Sequence, residues 1–170
     1  MLSESARMAS AAEARYRIDA PNSKARSVKV IALDRASERL VQQLAQRSWN
    51  QATFLTASAI ANAPQHGERF SMQGWLSDLA GRATDLVDEI NDADLVVMVA
   101  SAGEEVPAVS LIGEACAVRR IMTTSLILGS ATKSDAELSA SLAQLRPYSQ
   151  MLVIATAEDY VEDMLRALRA

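Results

Sequence analysis

The chain has 170 residues, 49% of them hydrophobic and 22% charged, with a net charge of −4. That length suits one domain with a full core, and the acidic balance argues against general nucleic-acid binding, which needs a concentrated basic face. A single cysteine excludes an internal disulfide and a multi-cysteine metal site and fits a reducing compartment. No apolar run approaches the roughly 18 residues of a membrane span, and the N-terminus lacks the apolar core of a secretory signal, so a cytoplasmic protein without a membrane partner is expected.

Residues 1–26 are rich in Ala and Ser, mixed in charge, and closed by Pro21-Asn22-Ser23. They read either as a mobile arm or as a short helix from about Ser3 to Tyr16 that packs on the domain or on a second subunit. The domain itself is expected over 27–170. Val28-Lys29-Val30-Ile31-Ala32-Leu33 is the first strand, with Asp34 at its carboxyl end. The segment Ala36 to Arg47 carries Leu40, Val41 and Leu44 at helical spacing. Ala52–Thr56 is a short second strand, followed by a long connection that holds Pro64, Gly67 and the only histidine, His66. A helix is predicted from about Gly74 to Asn91, with Trp75, Leu76, Leu79, Ala83, Leu86, Val87 and Ile90 along one face.

Leu95-Val96-Val97-Met98-Val99-Ala100 is apolar without alternation, the pattern of a strand buried on both faces of a parallel sheet. A helix from Val106 to Ala117 follows, with Pro107 in its first turn. Ile121–Leu128 is the fourth strand, and Ser134-Asp135-Ala136-Glu137 fits a capping box for a helix through Leu138, Leu142 and Leu145. Met151–Ala155 is the fifth strand, and Thr156 is expected to cap a last helix containing Val161, Met164, Leu165 and Leu168. Five strand–helix alternations predict an α/β fold: a three-layer α/β/α sandwich around a Rossmann-like, doubly wound, five-stranded parallel sheet of order 2-1-3-4-5.

In such a sheet, ligands bind at the carboxyl ends of the strands. The loops expected there supply the ligand-binding candidates: Asp34 and Arg35, then Thr56, then Ser101, Ala102, Gly103 and Glu104, then Gly129 and Ser130, and last Thr156. Nucleotide folds of this shape place glycines after the first strand so that backbone N–H groups approach a phosphate. Here Asp34-Arg35-Ala36-Ser37-Glu38 has none, and no glycine precedes Gly67; a dinucleotide fingerprint and a P-loop are both absent. The acids Asp34, Glu104, Glu105, Glu158 and Asp159 read first as caps and first-turn carboxylates. A cation or hydroxyl-rich ligand held by paired carboxylates is the sharper reading, but Glu104 and Glu105, being adjacent, do not form a pair, and no metal site is expected. His66, alone in its loop, reads as solvated surface rather than as an acid–base group. Cys116 reads as a buried, inert thiol, Trp75 as packing on the sheet, and Arg119-Arg120 as solvated or at a subunit contact.

Three families share pieces of this pattern. A response-regulator receiver places an acidic residue where Asp34 stands, but its Asp after the third strand and Lys after the fifth are Ser101 and Thr156 here, which rules it out. Ala100-Ser101-Ala102-Gly103-Glu104 resembles the Ser-x-Ser-Gly-Glu loop of a phosphosugar-isomerase (SIS) domain, with alanine at both phosphate-binding serine positions. The broadest resemblance is to the nucleotide-binding domain of the FtsZ/tubulin family. It rests on Val28–Ile31 with the following helix and Ala52–Thr56, on Ala93–Gly103 as the strand entering the phosphate loop, and on Ile121–Leu128 and Met151–Thr156 at similar spacing. That resemblance covers about residues 27–170 and implies a Rossmann-like nucleotide fold. The family's glycine-rich loops are lost: Asp34–Glu38 stands in the first, and Glu104-Glu105-Val106-Pro107 replaces the phosphate loop. The resemblance therefore implies a degenerate relative without polyphosphate binding.

The expectation is a non-enzymatic Rossmann-like binding or assembly module. The alternative is a small-molecule or nucleotide-binding enzyme, SIS-like or related, that uses the loop after the third strand. Catalytic residues and cofactors stay unspecified; a small-molecule ligand and a second copy of the chain are the partners this reading admits.

Overall fold

The computed structural model describes residues 25–57, 75–78, 83–156 and 158–170. Among the described residues, seven strands and five α-helices follow in chain order: β1 (Val28–Ala32), α1 (Arg35–Ala45), β2 (Ala52–Thr56), β3 (Trp75–Asp78), β4 (Ala83–Asp85), α2 (Leu86–Asn91), β5 (Leu95–Ser101), α3 (Ala108–Arg119), β6 (Met122–Leu128), α4 (Asp135–Leu145), β7 (Met151–Ala155) and α5 (Glu158–Ala167). Short 3₁₀ turns at Ser130–Thr132 and Arg146–Tyr148 flank α4. One sheet holds all the strands in the order β4-β3-β2-β1-β5-β6-β7.

Its core is the five-stranded parallel sheet the sequence predicts. The pairs β2–β1, β1–β5, β5–β6 and β6–β7 are all parallel. The uninterrupted apolar strands are split residue by residue between two cores, because successive side chains leave a strand on opposite faces. Leu95, Val97 and Val99 of β5 join Val28, Val30, Ala32 and Leu126 under Leu40, Val41 and Leu44 of α1 and Val161 and Leu165 of α5. Val96, Met98 and Ala100 join Ile31, Leu33 and Ile127 under Leu86 and Ile90 of α2, Ile112 and Cys116 of α3, and Leu145 of α4. Every residue from Leu95 to Ala100 is at most 1% exposed. Burying each large aliphatic side chain is worth about 1.5–3 kcal/mol, so β5 is the strand around which both layers assemble.

The stretch before α2 departs from the sequence prediction. Gly74 to Asn91 is not one helix: Trp75–Asp78 and Ala83–Asp85 are antiparallel strands, and the helix begins only at Leu86. Leu79 lies outside the described residues, and of the predicted helical face only Leu86, Val87 and Ile90 are helical. The local reason for the late start is Asp85, whose extended backbone and side chain cap α2 by accepting from the amides of Val87 and Asp88. The non-local reason is the edge of β2. There β3 pairs antiparallel to it, Leu55 opposite Asp78 and Thr56 opposite Ser77, which covers an otherwise open strand edge.

Other ends shift by a residue or two. The helix after the first strand starts at Arg35 rather than Ala36, and α3 runs from Ala108 to Arg119 rather than from Val106 to Ala117. The capping box at α4 forms as predicted, with the Ser134 side chain accepting from the Glu137 amide and the Glu137 carboxylate accepting from the Ser134 amide. The cap expected from Thr156 falls beside Ala157, which lies outside the described residues, as do His66 and the segment 1–24.

Two buried details tie the layers together. Lys29, 8% exposed near the start of β1, donates from Nζ to Glu89 Oε2 of α2 at 2.9 Å and to Thr53 Oγ1 of β2 at 3.2 Å. Gly113 on α3 lets that helix lie directly on the turn after α4, where a Cβ at its position would stand 2.5 Å from the Tyr148 Cβ.

Candidate functional site

Parallel strands β1, β5 and β6 end at one edge, and the loops that leave them carry most of the polar candidates. Asp34 sits at the centre. It is the N-cap of α1, with extended backbone, and it forms a capping box with Ser37. Asp34 Oδ1 accepts from the Ser37 amide at 2.8 Å, while Ser37 Oγ donates to the Asp34 carbonyl at 2.9 Å. The same carboxylate reaches across to β5. Its Oδ2 accepts from the Ser101 amide at 2.7 Å and its Oδ1 from the Ser101 hydroxyl at 3.0 Å. Asp34 is 7% exposed, so a buried anion with three donors around it joins the ends of the two central strands.

The loop after β5 has the position of a phosphate cradle, and most of its amides are already engaged. Ala102 donates to the Leu128 carbonyl at 2.8 Å and Glu104 to the Ser101 carbonyl at 3.2 Å. Two amides are taken by side chains of α4: Gly103 donates to Ser141 Oγ at 2.9 Å and Val106 to Gln144 Oε1 at 3.1 Å. Because a buried amide without a partner is costly, this loop is held by its neighbours in one conformation. Gly103 (φ +82°) and Gly129 (φ +72°) take the left-handed backbone at the turns that leave β5 and β6.

Between α1 and those two loops lies an open hollow of about 470 Å³, lined by Ala36, Arg39, Leu40, Gln43, Ser101, Ala102, Glu104, Leu128, Gly129, Thr132 and Lys133. Arg39 and Lys133 bring positive charge to its lining, and Glu104 adds a negative one. Lys133 Nζ lies 3.5 Å from Glu137 Oε1. The Glu137 carboxyl is held below its ordinary range first by the hydrogen bond from the Ser134 amide, then by the Ser134 hydroxyl and, after desolvation, which opposes the shift, by Lys133.

The structure brings Asp34 and Ser101 into direct contact and sets Ala102, Glu104 and Gly129 on the hollow. Gly103 lies just behind it, near Lys133 and Glu137. Arg35 faces a separate shallow hollow along α1 with Ala36, Glu38, Arg39 and Gln42. The Thr56 hydroxyl donates to Glu38 Oε1. Ser130 lies in the 3₁₀ turn after β6, and Thr156 is exposed beyond β7, away from the residues that line the hollow. Among the described residues no group of three or more His, Cys, Asp or Glu is placed to hold a metal ion.

Sequence reasoning missed Ser37, Arg39, Lys133, Ser141 and Gln144. Ser37 had a usable signal, since Asp34-x-x-Ser37 has capping-box spacing. Arg39, Ser141 and Gln144 sit on helices and Lys133 in the turn before α4, and their neighbours at the site come from distant segments, so no local pattern marks them. Cys116 is fully buried on α3. Desolvation pushes its thiol from 9.0 up to about 11, with Arg119 pulling weakly the other way. Arg119 itself donates to Asn91 Oδ1 at 2.6 Å, at the far end of the sheet.

No family model matches the chain, and no curated protein matches it. Among solved structures it is similar to translation elongation factor SelB from Methanococcus maripaludis in complex with the GTP analogue GppNHp. That match has 10% identity and a TM-score of 0.49 over 85% of this chain and 34% of the other. The apo form of the same factor gives 12% identity and a TM-score of 0.47 over 85% and 36%. A protofilament of TubZ from bacteriophage PhiKZ gives 16% identity and a TM-score of 0.44 over 83% and 55%. The chain thus spans between about a third and just over a half of these proteins. At such identities the likeness is one of α/β architecture, and any function has to be argued from the site.

Proposed function

We propose that the chain is a non-catalytic, Rossmann-like binding or assembly module, a degenerate FtsZ/tubulin-type domain whose polyphosphate site is closed by its own carboxylate. The observation that supports this most is Asp34. In nucleotide folds a phosphate rests on the amides at a helix N-terminus beside the central strands; here the first-turn amide of Ser37 and the strand-end amide of Ser101 both point at Asp34. An incoming phosphate would meet a buried negative charge and a β5 loop whose amides are largely spoken for.

Thermal unfolding with GTP, ATP, NAD and FMN, each with and without magnesium, tests this directly. No shift is expected at micromolar nucleotide, and a clear stabilisation by any of the four would sink the reading. Assembly is supported by the outer edge of β7, which pairs with no described strand and leaves Met151 and Ile154 each 41% exposed. Light scattering on the full chain and on a form lacking residues 1–26 measures this; a monomer in both cases removes assembly from the proposal.

A second reading, a small-molecule enzyme working at the β5 loop, is favoured by Ser101 and Glu104 bordering the hollow. Glu104 is exposed, so Glu104→Gln tests it cleanly. On this reading the variant keeps its melting temperature and loses an activity found in a substrate screen; full retention of that activity removes Glu104 from the chemistry.

A further inference from the structure

The two edges of the sheet are protected unequally. At one, β4 has only three residues and ends in the charged Asp85, features that discourage a further strand. At the other, β7 has five residues, and from Gln150 to Thr156 the chain carries neither a charge nor a proline. In a parallel ladder a residue bonds the two neighbours of the residue opposite it. The Leu128 carbonyl serves Ala102 beyond β5, so Thr123, Ser125 and Ile127, which alternate with it, face β7. Met151 and Val153 stand opposite Thr124 and Leu126, and their amides and carbonyls are therefore turned inward to β6. Those of Leu152 and Ile154 are turned outward, where no strand among the described residues meets them. Gln150 ends the edge, its amide donating to the Thr123 carbonyl at 3.1 Å.

We infer that β7 pairs antiparallel with β7 of a second copy of the chain, about a two-fold axis through Val153. The strand is self-complementary in that register. Each Leu152 faces the partner's Ile154 as a hydrogen-bonded pair, which uses every outward amide and carbonyl of both residues. On the same face the exposed Ile154 side chain covers the half-buried Leu152 of the partner. On the other face Val153 meets its own copy, and Met151, 41% exposed, lies opposite the small Ala155. The uncharged stretch lets two chains of net charge −4 meet without setting like charges together. The antiparallel sense also matches the flanks. Arg146 precedes β7 and Glu158-Asp159 follow it, so each basic approach comes beside the other copy's acidic exit, whereas a parallel pair sets like beside like. The two-fold also closes the contact, because both copies use the same surface. This inference names the interface of the assembly proposed above and rests on that reading.

The test uses the full chain. So short a contact belongs with the small, transient interfaces, below about 1,200 Å² in total, so light scattering should show a monomer–dimer equilibrium between micromolar and millimolar protein. Ile154→Lys places a charge at the edge and should raise the dissociation constant at least about tenfold with little change in melting temperature. Val153→Cys should form a disulfide-linked dimer under mild oxidation, because residues paired across antiparallel strands lie within disulfide reach and the native Cys116 is buried. Thr156→Cys should not, since its two copies would stand about 20 Å apart along the strands. The Leu152 and Ile154 amides should gain protection from hydrogen exchange only where the dimer forms. A dimer untouched by Ile154→Lys, or one that links Thr156→Cys as readily as Val153→Cys, overturns this interface and leaves assembly standing. A monomer at every concentration overturns both. Protected Leu152 and Ile154 amides in a monomer would give the edge to a segment of the same chain, and the inference would fall.

Discussion

Asp34 and Ser101, 67 residues apart in the chain, are joined twice: the Asp34 carboxylate accepts both the amide and the hydroxyl of Ser101. The same group caps α1, so one side chain closes the end of β1, starts a helix and terminates β5. Asp34→Ala removes the acceptor from two amides and a hydroxyl. Urea unfolding should show a loss of about 2–4 kcal/mol, from hydrogen bonds to a charged group worth roughly 1.5–3 kcal/mol and a cap worth about 1 kcal/mol. Ser101→Ala removes only the hydroxyl and should cost about 1 kcal/mol. The two losses should fail to add, since the bond they share can be lost once only.

Lys29 and Glu89 make the corresponding test at the other end of the sheet. Lys29→Ala leaves Glu89, whose side chain is 22% exposed, and Thr53 without their partner. A loss of about 1–3 kcal/mol is expected, below the usual 3–5 kcal/mol for a fully buried pair. The double change Lys29→Met with Glu89→Leu should recover most of it, because the pair is then replaced rather than broken. Chemical denaturation of the three proteins decides this; a double variant weaker than the single one would contradict it.

Gly113 and Gly129 should respond to alanine for different reasons. At Gly113 the new Cβ runs into the Tyr148 Cβ at 2.5 Å and its ring at 2.7 Å, so helix and turn must part; overpacking of this kind costs about 1–3 kcal/mol. At Gly129 nothing lies within 4 Å, but φ is +72°, and the cost is backbone strain of about 1 kcal/mol. Asparagine tolerates that backbone better than valine does. Melting temperatures should therefore rank Gly129→Asn above Gly129→Val, while at Gly113 every side chain is harmful.

Cys116 provides a pH-dependent reporter. Burial raises its thiol from 9.0 to about 11, so the native protein holds almost no thiolate at neutral pH and should react with a disulfide reagent only as fast as it opens. The linkage sign follows from the raised value. The stability tied to the neutral buried thiol is complete below about pH 9 and is lost as pH rises towards about 11. Cys116→Ala should flatten that alkaline decline; a wild-type and variant pair with parallel curves between those limits would show that another group causes it.

The central sheet was legible because its strands announce themselves without help from elsewhere. Leu95–Ala100 is too apolar to be anything but doubly buried, and Met151–Ala155 is bounded by turn signals on both sides. The β3–β4 hairpin was not legible, because Trp75, Leu76, Ala83, Leu86 and Ile90 also satisfy a helical repeat; what decides for strands is pairing with β2, a partner roughly twenty residues away. The same holds at the site. Asp34 and Ser101 could each be placed at the sheet edge, yet their bond depends on β1 and β5 being neighbours in space. Arg39 and Lys133 share a hollow only after α1 and the β6 turn have been folded towards each other.

The β5 loop has one further property that follows from where its hydrogen bonds end. Its amides are held by three separate authorities: Asp34 on the α1 cap holds Ser101, the β6 end holds Ala102, and Ser141 and Gln144 on α4 hold Gly103 and Val106. No single substitution releases them all. Releasing Ala102 or Val106 leaves a buried residue's donor unpaired, at about 1–3 kcal/mol, before the loop has acquired anything new to grip. Substitution by substitution, the loop behaves as a ratchet: easy to hold in its present shape, and reachable in another only through less stable forms.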